Sequence, residues 1–133
     1  LPQVECFAGQ LNQVFMNILS NAIEAFDEKS EKCTSEDRLA SNQISISTAL
    51  SDDQSNVIIS IKDNALGMPE EIRARIFDHL FTTKAVGKGT GLGLAISHQI
   101  VEGTHGGKLN CYSVPGQGTE FMIQIPVRQL AKL

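Results

Sequence analysis

The sequence has no apolar run approaching the roughly 20 residues of a membrane span and no signal peptide, so no segment reads as a transmembrane helix or secretory leader. Cysteine is scarce. Cys6, Cys33 and Cys111 are odd in number, widely spaced and without a Cys-x-x-Cys pair, which excludes a disulfide framework and fits a reducing, cytoplasmic setting. Positive charge is in deficit: 11 Lys and Arg against 15 Asp and Glu leave a net charge of −4. That removes the electrostatic ground for a nucleic-acid partner or for direct contact with an anionic membrane. His79, His98 and His105 have no metal-ligand spacing with Cys or carboxylates and read as surface or packing residues. No Ser/His/Asp or Cys/His arrangement suggests a covalent hydrolase, and there are no internal repeats.

What is present fits one domain with a real core. A chain of 133 residues buries roughly two thirds of its unfolded surface without needing staples. It opens "LPQVECFAG", strand-like and without a starting Met, as expected of a piece of something longer. "GQLNQVFMNILSNAIEAFDEK" spaces Leu11, Val14, Phe15, Ile18, Leu19, Ala22, Ile23 and Phe26 at i, i+3, i+4, i+7, the pattern of a helix with one buried face. The charged, Ser-rich stretch at about 28–42 has no period and reads as a flexible surface insert. "QISISTAL" and "NVIISIKD" alternate and are β-branched, two strands joined by the turn-prone "SDDQSN". "MPEEIRARIF" reads as a short helix with Pro69 at its start and acids in its first turn. "LGLAISHQIVEGTHGG" reads as another helix, ended by its glycines, and "KLNCYSV" and "TEFMIQIPV" as strands linked by "PGQG". The order predicts an α/β two-layer sandwich: a mixed, mostly antiparallel sheet of about five strands, with about three helices on one face.

Four short stretches carry the chemistry. "GKGTGLGLAI" (87–96) fails the Rossmann spacing, and its Gly87-Lys88 lacks the following Ser or Thr of a P-loop. It remains a glycine-rich segment feeding a helix N-terminus, where free N–H groups and the helix dipole suit an anion; a plain flexible loop explains it equally well. Asn17 and Asn21 lie one turn apart beside the apolar stripe, in line with Gln10, Gln13 and Glu24; taken alone they are a solvated face. Asp63 closes a strand before the turn at Gly67, placed to accept a hydrogen bond in a cleft or simply to shape the turn. In "IFDHLFTTK", Phe77, Leu80 and Phe81 with Lys84 suit either an anchored lid with a phosphate-seeking cation or an apolar helix end.

Together and in this order, the stretches resemble the ATP-binding catalytic domain of bacterial sensor histidine kinases, in the gyrase/Hsp90/histidine-kinase/MutL superfamily with its Bergerat-type fold. "LNQVFMNILSNAIEAF" resembles the N box, "DNALGM" and "GKGTGLGLAI" the two glycine boxes, and "IFDHLFTTK" the F box. "GGKLNCYSVPGQGTEF" resembles the closing strands. The resemblance implies a single catalytic domain over 1–133 that binds ATP and Mg²⁺. Asp63 would accept from the adenine amine, Gly67 would let the backbone pass the base, and Thr119 would support the aspartate through a water. Asn21 would coordinate Mg²⁺ held by the phosphates, with Asn17 facing the same phosphates. Thr82, Thr83 and Lys84 would serve the nucleotide, Lys84 at the terminal phosphates. Gly87, Gly89, Gly91 and Gly93 would bound an ATP lid at about 78–91, and amides from Gly91 through Leu92 to Leu94 would cradle phosphate. These roles suit phosphoryl transfer, in which positioning and charge neutralisation dominate.

Two departures stand out. Ala65 occupies the place of the first glycine of Asp-x-Gly-x-Gly, costing little unless φ is positive there. Glu24 stands where the N box often has Lys or Arg. The hydrolysing relatives carry a general-base glutamate at the position of Asn17, which cannot take a proton from water. Transfer to an acceptor histidine on a separate hairpin of the parent protein is therefore expected, with a response regulator downstream and this piece monomeric. None of His79, His98 or His105 lies on such a hairpin. A degenerate nucleotide-gated regulatory module and an anti-sigma-type serine kinase are the alternatives.

Overall fold

The computed structural model describes residues 1–32, 41–78 and 93–128. Helix α1 spans Ala8–Lys32, and most of the predicted stripe forms its inner face: Leu11, Val14, Ile18 and Ala22 are buried and Phe15, Leu19 and Phe26 half-buried, whereas Ile23 turns outward and is exposed. It runs three residues beyond Lys29, so the start of the expected insert at about 28–42 is helical, and 33–40 lies outside the described residues. No glycine or proline interrupts those last turns, and nothing local stops the helix earlier.

Four strands follow: β1 (Ile44–Leu50), β2 (Asn56–Asp63), β3 (Lys108–Val114) and β4 (Gly118–Pro126). Their order is β1-β2-β4-β3, every neighbouring pair antiparallel. Val57 and Ile61 of β2, Leu109 and Cys111 of β3, and Phe121, Ile123 and Ile125 of β4 alternate onto one face. With α1 and the third helix they form the core. Burial of this continuous apolar face is what holds helices and sheet together.

The α/β two-layer architecture is as the sequence predicts; the strand count and pairing differ. "LPQVECFAG" forms no strand. Its donors go elsewhere: Glu5 N–H to Val127 O (2.8 Å) and Phe7 N–H to His105 Nε2 (3.0 Å), after which α1 begins. Without a fifth strand, nothing pairs in parallel among the described residues.

The helices after β2 are also irregular. Pro69 caps α2 (Glu70–Arg73), which is shorter than "MPEEIRARIF" suggests. Arg75, Ile76 and Asp78 donate three residues back, so the rest of the stretch is tight turns. Helix α3 (Gly93–His98) continues as a π-helical segment, Gln99–Thr104. The wider turn lets His105 N–H reach Ile100 O (3.1 Å), and His105 Nδ1–H donates to the same oxygen (2.8 Å). His105 is buried, with both ring nitrogens engaged. It is the packing residue the sequence suggests, and it pins the N-terminal segment to the end of the helix.

Candidate nucleotide site

Strand β2 delivers Asp63 to the rim where sheet and α1 part. The carboxylate is buried, and Oδ1 accepts from Ala65 N–H (3.0 Å) and Thr119 N–H (3.3 Å). Burial raises its pKa above the ordinary value, while those two backbone donors pull it back down. Because both protein donors use Oδ1, Oδ2 is the atom with accepting capacity to spare.

A cleft of about 270 Å³ opens beside it, near the lower end of ligand pockets (~300–1,000 Å³). Asp63, Gly67 and Thr119 line it from the sheet side, with Leu66, Met68 and Pro69 of the following loop. Ile72 and Ile76 give it an apolar wall suited to a flat base. Asn21, Glu24 and Glu28 face it from α1 at i, i+3 and i+7.

The turn needs its glycine. Gly67 has φ +70°, and a Cβ there would sit 2.3 Å from Val114 O. A Cβ on Gly118, at φ +97°, would meet Asp63 O as closely. The β3–β4 turn thus packs directly on the loop after Asp63, with backbone against backbone. Ser113 fastens the two: its Oγ accepts from Met68 N–H (2.9 Å) and lies 3.0 Å from both Gly118 O and Thr119 Oγ1. Sequence reasoning missed Ser113. The available signal was a hydroxyl on the inward face of β3, two residues after buried Cys111. Ala65 is buried and is not among the residues with positive φ, so the alanine is tolerated without backbone strain.

Asn17 takes a different place from its neighbour. It does not line this cleft; its Nδ2 donates to Gly93 O (3.0 Å) and Ser97 Oγ (3.1 Å), joining α1 to α3. Leu94, one residue on, packs half-buried against the core. Asn21, Asp63, Gly67 and Thr119 therefore share one cleft, while Asn17, Gly93 and Leu94 meet at the α1–α3 seam. Thr82, Thr83, Lys84, Gly87, Gly89, Gly91 and Leu92, and the lid expected at about 78–91 apart from Asp78, lie outside the described residues.

The donor set suits a nucleotide that brings its own cation. With Glu24, Glu28 and Asp63 around the cleft, bare polyphosphate is repelled more strongly than its magnesium complex, which carries less negative charge. Among the described residues no three His, Cys, Asp or Glu side chains gather to hold a metal ion by themselves. Amide oxygens are hard donors of the kind Mg²⁺ accepts beside phosphate oxygens; Asn21 carries one at the cleft, and Asn17 another at the α1–α3 seam.

The family described as histidine kinase-, DNA gyrase B-, and HSP90-like ATPase matches residues 8–129. Sporulation kinase E of Bacillus subtilis (strain 168) is 40% identical over 132 residues, 99% of this chain and 16% of that protein. Sensor histidine kinase ZraS of Escherichia coli (strain K12) is 35% identical over 127 residues, 96% of this chain and 24% of that one. The chain thus spans 24% or less of the length of these two relatives. Among solved structures, the nucleotide-free catalytic domain of histidine kinase ThkA matches with a TM-score of 0.71 and 32% identity, covering 95% of this chain and 72% of that one.

Proposed function

The chain belongs to the histidine kinase-, DNA gyrase B-, and HSP90-like ATPase family, as a histidine-kinase catalytic ATP-binding domain, and from that premise we propose that it holds Mg·ATP in the cleft beside Asp63 and passes the γ-phosphoryl group to a histidine on a separate helical hairpin of its parent protein. The observation that carries the reading is the buried Asp63, tied through Oδ1 and keeping Oδ2 for the adenine amine.

Each residue contributes by position. Gly67 and Met68 form the edge along which the base lies, and Ile72 and Ile76 exclude water from its face. Thr119 holds Asp63 by its N–H and, through its hydroxyl, shares the Ser113 contact. Asn21 and Asn17 would hold the magnesium ion by amide oxygens; when bound, it neutralises charge on the phosphate oxygens. Asn17 has no basic atom to activate water, and that favours transfer over hydrolysis.

A degenerate regulatory module is the reading that a strained Ala65 in the first glycine box would favour, and the Ala65 backbone is free of left-handed strain. We further propose a cytoplasmic setting, a monomeric domain and a response regulator as the downstream acceptor. No helix among the described residues is long and apolar enough to cross a membrane.

The test is to mix the chain with the parent's hairpin and γ-labelled ATP. Acid-labile, base-stable phosphate on the hairpin's histidine is the expected product. Its absence, with nucleotide bound and the hairpin folded, sinks the transfer reading.

A further inference from the structure

Helix α3 meets α1 through a polar contact where the sequence pattern calls for a core residue. Ser97 lies three residues after Leu94 and three before Ile100, both packed in the core, and it is itself fully buried. Its hydroxyl donates to Gly93 O (2.8 Å) and accepts from Asn17 Nδ2 (3.1 Å). The same Asn17 Nδ2 lies 3.0 Å from Gly93 O, so the NH₂ faces both oxygens.

A primary amide has two N–H donors and one oxygen. With the NH₂ turned to α3, the atom Asn17 has to offer is Oδ1. That atom accepts; it suits a cation, or water bound to one, and is repelled by a phosphate oxygen. Turning the amide over would set oxygen against the Gly93 carbonyl and lose both bonds. The clasp therefore decides which chemistry Asn17 presents. Alanine at 97 removes one of the two oxygens that hold the NH₂ and weakens that decision.

We propose that Ser97 is a positioning residue for the metal end of the nucleotide site, touching no part of the nucleotide and acting by fixing Oδ1 as the atom Asn17 presents. This rests on the reading of Asn17 as part of that end.

The experiment titrates the chain, Ser97→Ala, Ser97→Cys and Asn17→Ala with a non-hydrolysable ATP analogue at rising Mg²⁺, and separately with adenosine, which reads the base end alone. Loss of a partner that orients a metal-binding group typically costs tenfold or more, so Ser97→Ala should raise the Mg²⁺ needed for half-saturation roughly tenfold. Ser97→Cys, which keeps the volume and a weaker acceptor, should fall between. Adenosine affinity should stay unchanged in both, which also shows that the variants are folded. An unchanged Mg²⁺ requirement in Ser97→Ala, or an equal loss for adenosine and the ATP analogue, overturns the proposal. If Asn17→Ala also leaves the Mg²⁺ requirement unchanged, the reading of Asn17 has failed as well. If Asn17→Ala raises it and Ser97→Ala does not, only the role of Ser97 has.

Discussion

Replacing Asp63 with Asn changes one atom in the buried carboxyl group and reverses what it offers a base. The amide oxygen can keep the bonds from Ala65 N–H and Thr119 N–H, now at 3.0 and 3.3 Å. The new NH₂ then occupies the place of Oδ2 and meets the adenine amine donor to donor. A lost hydrogen bond with a buried partner costs about 1–3 kcal/mol, so Kd for a non-hydrolysable ATP analogue with Mg²⁺ should rise roughly 5- to 150-fold. The unliganded variant should be at least as stable as the parent at neutral pH, because burial disfavours the carboxylate and the amide carries no charge to bury. Calorimetry measures the affinity and thermal unfolding the stability. The matching inosine analogue is the sharper control, since its ring carbonyl accepts where adenine donates, and its affinity relative to adenine should rise in Asp63→Asn. Unchanged adenine affinity in a folded variant would refute the assignment of the base edge to Asp63, and equal losses for both bases would point to general damage.

The remaining predictions concern the same corner. Burial holds the Asp63 pKa above its unfolded value of 3.8, so the folded chain takes up this proton at higher pH than the unfolded one. This group's contribution to unliganded stability therefore falls as pH rises from 3.8 through the raised value. Adenine binding should show the opposite slope, strengthening with pH through that window as the carboxylate becomes an acceptor, and Asp63→Asn should lack that component; an identical profile in the variant contradicts it. Gly67→Ala places a Cβ against Val114 O at positive φ and should cost about 1–3 kcal/mol or more, read as a lower unfolding midpoint and weakened nucleotide binding. Ala65→Gly, restoring the usual glycine, should leave nucleotide affinity within about threefold and lower stability by about 0.5–1 kcal/mol, since no positive φ is relieved; a large gain in affinity would show that the alanine obstructs the site.

What was legible in the sequence was periodic or local. The stripe from Leu11 to Ala22 and the alternation along β2 and β4 report burial directly, because one face of each element is covered. Asp63 and Gly67 were legible because a strand end and a tight turn restrict which residues fit. What stayed hidden depends on partners far along the chain. The N-terminal stretch has strand-like composition, but His105 takes the N–H of Phe7 from 98 positions away. The π-helical segment depends on backbone register, with His105 bonded back to Ile100, and side-chain periodicity does not encode that. Asn17 reads as one of a pair with Asn21, yet its donors are claimed by Gly93 and Ser97, 76 and 80 positions on. Ser97 and Ser113 share a signature visible in hindsight: a lone hydroxyl at a position whose neighbours on the same face are apolar and buried. Such a group is tolerated only when bonded, and its partners were the missing information.

In the proposed function, adenine sits in the cleft between Asp63, Gly67 and the Asn21–Glu28 face of α1. Photolabelling with an azido-adenine analogue of ATP, followed by peptide mapping, tests it most directly. Label is expected on peptides carrying Asp63 to Met68, Thr119 or the Asn21–Glu28 face, and excess ATP should suppress it. Label confined instead to the groove between α2 and β3, around Arg73, His98 and Tyr112, with the cleft peptides unmodified, would contradict it.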